Sequence, residues 1–168
     1  EKVKIEDFKK NIKIFTDDIV YIKNEEIIFT RSKSTATDGN VIINGDKFEY
    51  KKNENVIHAE GNVEIIDDLN NYKIESVKIT YDMNSDIIFS SGITEANIQS
   101  KYFIKSKDVL LDKKIMELSS NKDSIIKDDN STVYNLGKFK YKINEEILNG
   151  KDIEIITNNL KEKSDKFY

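Results

Sequence analysis

The stretch FEYKKNENVIHAEGNVEI, from Phe48 to Ile65, contains the pattern that decides the fold. Apolar and polar residues alternate up to Tyr50, a polar turn follows, and alternation resumes through Gly61 and Asn62. A period of two is typical of a strand with one buried face. Asn and Glu between two such runs are typical of a tight turn. The stretch therefore predicts a β-hairpin. Its second strand would bury Ile57, Ala59, Gly61, Val63 and Ile65.

The same pattern recurs along the whole chain. The residue that ends each first run serves as an anchor, and the anchors are Tyr21, Tyr50, Tyr81, Leu111 and Tyr141. They are separated by 29, 31, 30 and 30 residues. An apolar residue follows each anchor at the seventh position, and the fourth copy, with the turn DKK, is the most degenerate. Regular recurrence at this distance predicts a repeat architecture, here about five hairpins within one domain covering residues 1–168.

A second regularity predicts bends within each repeat. An apolar or aromatic residue stands seven positions before each anchor, at Ile14, Ile43, Ile74, Ile104 and Tyr134. The next apolar marker follows five positions later, and an odd step turns a side chain to the other face of a straight strand. Keeping both inward requires a bend or bulge, at TDD, NGD, ES, KSKD and LGK. Chains that bend in this way form jelly rolls and sandwiches, so we predict an all-β fold. A helical turn is considered only around Lys4–Lys10.

Composition excludes several classes of protein. Net charge is −4 and Lys alternates with Asp and Glu, so no basic stripe for nucleic acid is present. Cysteine is absent, which rules out disulfides and thiolate metal sites. No apolar run approaches the roughly 20 residues of a transmembrane helix. The chain does not begin with Met, which fits a processed protein or an excised piece.

Few residues suggest chemistry. His58 is the only histidine, so a catalytic triad or a histidine zinc site is not expected. Asp67–Asp68 and Asp128–Asn130 lack the ligand spacing of a calcium loop and are interpreted as solvated turns. The lysines of Lys138–Lys142 alternate with aromatic residues, as on any half-exposed strand. We therefore predict no catalytic residue, no metal and no cofactor.

The inward apolar face is the remaining candidate site. Small residues near it (Thr30, Ser32, Ala59, Gly61, Ser90 and Gly92) would let backbones approach closely or leave a trough open. The sequence alone allows either a dry core or a lipid-binding groove. The predicted groove residues are Phe48, Tyr50, Ile57, Ala59, Val63, Ile65, Ile79, Tyr81, Ile88, Val109, Leu111, Phe139 and Tyr141.

The motif Ala59-Glu60-Gly61-Asn62-Val63, after a strand ending in F-x-Y, resembles the OstA-like domain of the lipopolysaccharide-transport machinery. Weaker versions are Ser90–Thr94 and Asn149–Lys151, and the resemblance runs from Ile12 to Thr157. It implies a twisted, partly open β jelly roll. Such domains stack end to end as a periplasmic bridge that transfers lipopolysaccharide to the outer membrane, without enzymatic activity.

Among the members of that family, the chain is most similar to the N-terminal periplasmic domain of the outer-membrane assembly protein LptD. That similarity implies a fragment of a longer chain with a C-terminal outer-membrane barrel. The implied partners are the lipid A acyl chains of lipopolysaccharide, neighbouring Lpt jelly rolls paired by β-augmentation, and the barrel with its plug lipoprotein. The disulfides that tie this domain to the barrel in familiar members have no cysteine here.

Two other architectures fit parts of the pattern. A closed β repeat, such as a parallel solenoid, would serve as a surface scaffold or adhesin, but the turns favour antiparallel hairpins. A glycan-binding β-sandwich would need an exposed aromatic platform. Tryptophan is absent and the tyrosines fall at inward positions of the alternation, which makes this class less favoured.

Overall fold

The computed structural model describes residues 3–7, 11–157 and 161–167, the last range by its backbone. Within them the chain forms eighteen strands and no helix, which confirms the all-β prediction. The prediction of a helical turn around Lys4–Lys10 is wrong for residues 4–7, because Val3–Asp7 is a strand. Residues 8–10 lie outside the described part of the chain. The strands are β1 (Val3–Asp7), β2 (Ile12–Thr16), β3 (Ile19–Ile22), β4 (Ile27–Thr30), β5 (Ser34–Asp38), β6 (Val41–Gly45), β7 (Lys47–Lys51), β8 (Val56–Asp67), β9 (Tyr72–Asp82), β10 (Ile87–Ile98), β11 (Tyr102–Lys107), β12 (Leu110–Asp112), β13 (Glu117–Ser120), β14 (Ser124–Asp128), β15 (Val133–Leu136), β16 (Lys138–Lys142), β17 (Ile147–Ile156) and β18 (Lys161–Phe167).

The predicted hairpin around Phe48–Ile65 is present. Strands β7 and β8 pair antiparallel, with Tyr50 opposite Ile57 and Phe48 opposite Ala59. Every other pairing between described strands is antiparallel too. A parallel solenoid is therefore excluded for the described residues, since its rungs pair in parallel.

The strands form two layers that share four long strands. The first layer contains β1, β2, β5, β6, β11, β14, β15, β18 and the parts of β8, β9, β10 and β17 nearest residues 65, 74, 96 and 155. The second layer contains β3, β4, β7, β12, β13, β16 and the remaining parts of β8, β9, β10 and β17. Among the described pairings, β1 and β3 have a partner on one side only, as does β18, so these strands form the sheet edges.

The chain passes from one layer to the other at the predicted bends. Strands end at Thr16, Gly45, Lys107 and Leu136, and the next strands begin two or three residues later in the other layer. The long strands bend without a break, and the register shifts between Glu60 and Val63. There Gly61 has φ +78°, and a Cβ on it would lie 2.6 Å from Asp46 Oδ2. The Gly of the A-E-G-N-V motif is thus required by a bulge at a corner.

The hairpin turns share a conformation that the sequence did not reveal. The fifth residue after each anchor has a positive φ, although none is glycine: Glu26 (56°), Asn55 (60°), Asp86 (60°), Met116 (51°) and Glu146 (54°). Four of their carbonyls accept a hydrogen bond from the next hairpin: Lys52 N to Glu26 O (3.0 Å), Met83 N to Asn55 O (3.1 Å), Lys113 N to Asp86 O (3.0 Å) and Ile143 N to Met116 O (2.8 Å). The left-handed residue directs its carbonyl toward the neighbouring turn, which offsets the strain.

Candidate functional site

The interior between the two layers contains all thirteen predicted groove residues. Each side chain is at most 3 % exposed, and all belong to one apolar cluster. Val63 and Ile65 extend from the first layer, whereas the other eleven extend from the second layer or its corner. The inward orientation follows from the alternation of the strands. Binding of lipid by these residues stays a prediction.

In the second layer, inward side chains form one cross-strand ladder. Ten residues stand opposite one another on consecutive strands: Tyr21, Ile28, Tyr50, Ile57, Tyr81, Ile88, Leu111, Leu118, Tyr141 and Leu148. Nine steps at about 4.8 Å per strand give a ladder of roughly 43 Å. Each repeat contributes its anchor and the residue seven positions later, so chemically similar positions recur along the interior.

The anchor Tyr21 takes the inward face of its strand but, unlike the other four anchors, is not buried. Its side chain is 45 % exposed, and its hydroxyl donates to Glu26 Oε2 at 2.7 Å. Strand β3 is the edge of the second layer among the described residues, so no further strand covers this ring. Alternation predicts which face a side chain takes but not whether another element packs over it.

The first layer has a matching ladder, of which the predicted site includes only Ile65. It consists of Ile5, Ile14, Ala36, Ile43, Ile65, Ile74, Ala96, Ile104, Ile126, Tyr134 and Ile155. The apolar marker seven residues before each anchor is its sequence signal. Both walls of the interior are therefore aliphatic over most of their length.

Along one side of the interior, the two layers are joined by a polar seam. On the first layer, one cross-strand row contains Asp7, Asp38, Asp67, Ile98 and Asp128 at spacings of 31, 29, 31 and 30 residues. Tyr50 Oη donates to Asp7 Oδ2 at 3.2 Å across the seam. Tyr81 Oη donates to Asp38 Oδ2, and Lys113 Nζ contacts the same oxygen at 2.9 Å. Burial, with the Asp38 carboxylate next in effect, raises the pKa of Tyr81 far above its ordinary value.

The second half of the seam is held differently. The rings of Tyr102 and Tyr141 lie 5.1 Å apart and are tilted. Gln99 Nε2 donates to Ile143 O at 3.3 Å, and an exposed ion pair joins Lys101 Nζ to Glu146 Oε1 at 2.8 Å. Among the described residues of this half, no tyrosine of the second layer bonds to an aspartate of the first layer. Tyr134 Oη donates to Asp128 Oδ2 at 3.1 Å, but both residues belong to the first layer. Tyr141 Oη, although its side chain is 1 % exposed, has no hydrogen-bond partner.

The opposite side of the interior, where the chain bends, is lined by hydroxyl groups. Thr30 Oγ1 accepts from Phe48 N at 2.8 Å, and Ser90 Oγ accepts from Val109 N at 3.1 Å. Ser106 and Ser124 bond to each other at 2.7 Å. Small residues at these positions thus satisfy backbone donors that the bend removes from the ladder. They do not leave a trough open on this side.

The other residues that the sequence singled out have structural roles. His58 Nδ1 lies 3.0 Å from Thr80 Oγ1 on the outer face. The interpretation of Asp67 as a solvated turn is wrong, because it is 4 % exposed. It accepts from Asn70 N at 3.0 Å and from Asn70 Nδ2 at 2.7 Å. Phe139 and Tyr141 face the interior, so they offer no stacking platform for bases.

Neither a metal centre nor a membrane helix is evident in the part of the chain described. No group of three His, Cys, Asp or Glu side chains there could hold a metal ion. No helix in the described ranges has the length and apolarity to cross a membrane. The apolar interior and its seam are therefore the features from which a function can be argued.

Comparison with known proteins finds similarity in structure but not in sequence. No family model matches the chain, and no curated protein matches it by sequence. Among solved structures, the chain is similar to LptH from Pseudomonas aeruginosa, described as the LptA-homologous periplasmic component of the conserved lipopolysaccharide transport device. The match has a TM-score of 0.52 at 12 % sequence identity and covers 89 % of this chain and 96 % of LptH. At this identity the similarity shows a common fold, that of an LptA-like β protein.

Proposed function

We propose that the chain is a non-enzymatic component of lipopolysaccharide transport in the periplasm. In this proposal it is a twisted, partly open OstA-like jelly roll of five hairpin repeats, forming one domain over residues 1–168. It holds the acyl chains of lipid A between its two layers and passes them toward the outer membrane. The observation that most supports it is the continuous inward ladder, combined with the fold similarity to LptH.

The repetition of the ladder suits transport. Exposing an acyl chain to water costs about 0.8 kcal/mol per CH₂ group, so several chains together would meet a barrier of tens of kcal/mol. Each methylene that leaves one rung enters another of similar chemistry, so movement along the ladder is nearly isoenergetic. No reaction is needed, which agrees with an interior built from aliphatic and tyrosine side chains.

The lipid reaches the interior only if the layers separate. The predicted groove residues are packed against one another, so acyl chains would replace contacts between side chains of opposite layers. The bend side is covalently continuous, whereas the seam consists of hydrogen bonds and ion pairs between separate strands. We therefore infer that the layers part at the seam, with the sugars and phosphates remaining outside in water.

The sheet edges are the proposed docking surfaces. A neighbouring Lpt jelly roll would pair with β1 and β3 at one end and with β18 at the other, by β-augmentation. Lys4 and Ile5 are adjacent in β1, and adjacent residues of an edge strand direct their N–H groups to opposite sides. Replacing each with proline in turn should give one variant that loses docking at unchanged stability and one that is destabilised. Docking retained by both variants would contradict this pairing.

The finer proposal is that the chain is the N-terminal periplasmic domain of an LptD-like protein, attached to the outer membrane through a barrel with its plug lipoprotein. The gene provides the test. A reading frame that continues beyond Tyr168 into amphipathic strands supports it, and a stop codon there supports an LptA-like or LptC-like protein.

Site-specific photo-crosslinking tests the transport function. A benzoylphenylalanine at Ile57 or Tyr81, both in the ladder, should capture lipopolysaccharide in cells. Lys78 and Glu64 lie on the same long strands but face outward, Lys78 exposed and Glu64 half-buried, and they serve as outward-facing controls. Capture at the outward positions and none at the ladder would reject the interior as the lipid site.

A further inference from the structure

The first half of the seam is closed by hydrogen bonds to charged groups. Tyr50 Oη donates to Asp7 Oδ2 at 3.2 Å. Tyr81 Oη donates to Asp38 Oδ2, and Lys113 Nζ donates to the same oxygen at 2.9 Å. Hydrogen bonds with an ionised partner are about twice as strong as those between neutral groups. Separating the layers in this half would break these bonds.

The repeat positions show why this bonding stops at the middle of the seam. The two bonded aspartates each stand 43 residues before their tyrosine. The next anchor along the chain is Leu111, which has no hydroxyl to donate. The residue 43 positions before the last anchor, Tyr141, is Ile98, which has no acceptor. The second half therefore lacks one partner or the other at each of its two positions.

Weaker contacts close the second half of the seam. The rings of Tyr102 and Tyr141 lie 5.1 Å apart, and Gln99 Nε2 donates to a backbone carbonyl of the second layer at 3.3 Å. Lys101 and Glu146 form an ion pair at 2.8 Å, but their side chains are 46 % and 47 % exposed. Water screens an exposed pair, so it contributes little to stability.

Two polar atoms in the second half gain a partner only when the layers separate there. Among the described residues, Tyr141 Oη and Gln99 Oε1 are buried without a hydrogen bond. Such groups destabilise the closed state, because they have lost water without gaining a partner. Opening the second half would return both atoms to water. Opening is thus opposed by charged bonds in the first half and favoured by hydration of these atoms in the second.

We propose that the seam opens along its second half while the first half stays closed, so that acyl chains enter and leave the interior between Tyr102 and Tyr141. The inference rests on the proposed function, because it assumes that acyl chains occupy the interior. It makes the second half of the seam a lateral entrance and the first half a closed section of the same ladder. The opening is a property of the chain alone, so it can be measured without lipid.

Thiol labelling measures the opening at chosen positions, because the chain has no cysteine of its own. Ile57 and Leu118 occupy the same ladder position, seven residues after their anchors, and both are 0 % exposed. The whole chain carrying Ile57→Cys or Leu118→Cys is treated with iodoacetamide, without lipid or denaturant, and the modified fraction is followed by mass spectrometry. Leu118→Cys should react at least about tenfold faster, the ratio that corresponds to one charged hydrogen bond.

Two bend-side positions distinguish opening of the seam from loosening of a whole strand. Ala59 lies on β8 with Ile57, and Ser120 lies on β13 with Leu118; they are 0 % and 5 % exposed. Ala59→Cys and Ser120→Cys should both react slowly, at the rate that global unfolding allows, and urea unfolding of each variant gives that rate. Ile143→Cys, also at a residue 0 % exposed in the second half, replaces Leu118→Cys if the latter does not fold.

The same substitution should have opposite effects in the two halves. Tyr50 stands opposite Ile57, and Tyr141 stands opposite Leu118. Tyr50→Phe removes the bond to Asp7 and should speed the labelling of Ile57→Cys about fivefold. Tyr141→Phe removes an unsatisfied hydroxyl, stabilises the closed state and should slow the labelling of Leu118→Cys by a similar factor.

The possible results distinguish this inference from the proposed function. Faster labelling of Leu118→Cys than of the other three variants, slowed by Tyr141→Phe, supports it. Equal rates for Ile57→Cys and Leu118→Cys, equally fast labelling of Ser120→Cys, or faster labelling with Tyr141→Phe overturns it and leaves the proposed function to the crosslinking test. Absence of lipopolysaccharide capture at the ladder overturns the proposed function, and with it the route for acyl chains, whatever the labelling rates.

Discussion

The ion pair at the middle of the seam should stabilise the fold measurably. Asp38 Oδ2 accepts from Tyr81 Oη and from Lys113 Nζ, the latter at 2.9 Å. The side chains of Lys113 and Asp38 are only 16 % and 23 % exposed, so water screens this pair little. Asp38→Asn keeps the size and one acceptor oxygen but removes the charge. A charge-assisted hydrogen bond contributes about 1.5–3 kcal/mol. We expect a loss of about 2 kcal/mol.

A matched ion pair in the second half of the seam provides the control. Lys101 and Glu146 are joined at 2.8 Å, almost the same distance, but their side chains are 46 % and 47 % exposed. Glu146→Gln removes one charge in the same way, and an exposed pair contributes only about 0–1 kcal/mol. The two variants therefore differ mainly in how far solvent screens the lost charge.

Urea and thermal unfolding of the whole chain measure both effects. For a protein of this size, a loss of about 2 kcal/mol lowers the melting temperature by about 4–8 °C. A double-mutant cycle of Asp38→Asn with Lys113→Met should give a coupling energy of about 1–2 kcal/mol. If Asp38→Asn and Glu146→Gln have equal effects, or if the cycle shows no coupling, burial of the seam does not determine its strength and the reasoning is wrong.

The remaining predictions concern alkaline pH, the core and the turns. Burial raises the pKa of Tyr134 from 10.0 to about 12 and raises that of Tyr81 further. The neutral hydroxyls of these two residues therefore contribute fully to the free energy of unfolding below pH 10, and this contribution is lost as the pH rises above 10. In an alkaline titration, the tyrosinate absorbance of these residues should appear together with unfolding. Ile57→Ala, at a fully buried rung, should cost about 2–5 kcal/mol by chemical denaturation, and a smaller loss would indicate a loosely packed interior. The Glu146→Asn variant should be more stable than the Glu145→Asn variant by roughly 0.5–1 kcal/mol in thermal melts. Both variants lose one exposed lysine partner, but only Glu146 has a positive φ, a conformation that asparagine adopts more readily than glutamate. Equal melting temperatures would contradict this.

Much of the fold could be predicted because burial follows directly from alternation. The period of two and the recurrence at about 30 residues identify the inward side chains, and the odd step from Ile43 to Phe48 predicts the corner between layers. The count of about five repeats, and lipid binding, remain predictions. These features depend on what surrounds the ladder, which a pattern along one strand does not contain.

The seam could not be predicted from local sequence. Asp7 and Asp38 are two of 31 acidic residues, and each is bonded to a tyrosine 43 positions away. The only sequence signal is the recurrence of the aspartates of the first-layer row at spacings close to those of the anchors. The same spacing shows that Ile98 stands where the other repeats have an aspartate. The burial of Asp67 was missed because turn composition predicts polarity and not exposure.

The backbone bonds between successive hairpin turns have a consequence for how such a protein changes over evolutionary time. Since a backbone carbonyl accepts this hydrogen bond, the fifth residue after the anchor can be Glu, Asn, Asp or Met without changing the bond between one hairpin and the next. Units joined in this way can be copied or deleted whole, and the new junction inherits the same bond. The length of the apolar ladder is then set by duplication or deletion of repeats, independently of side-chain substitutions in the turns.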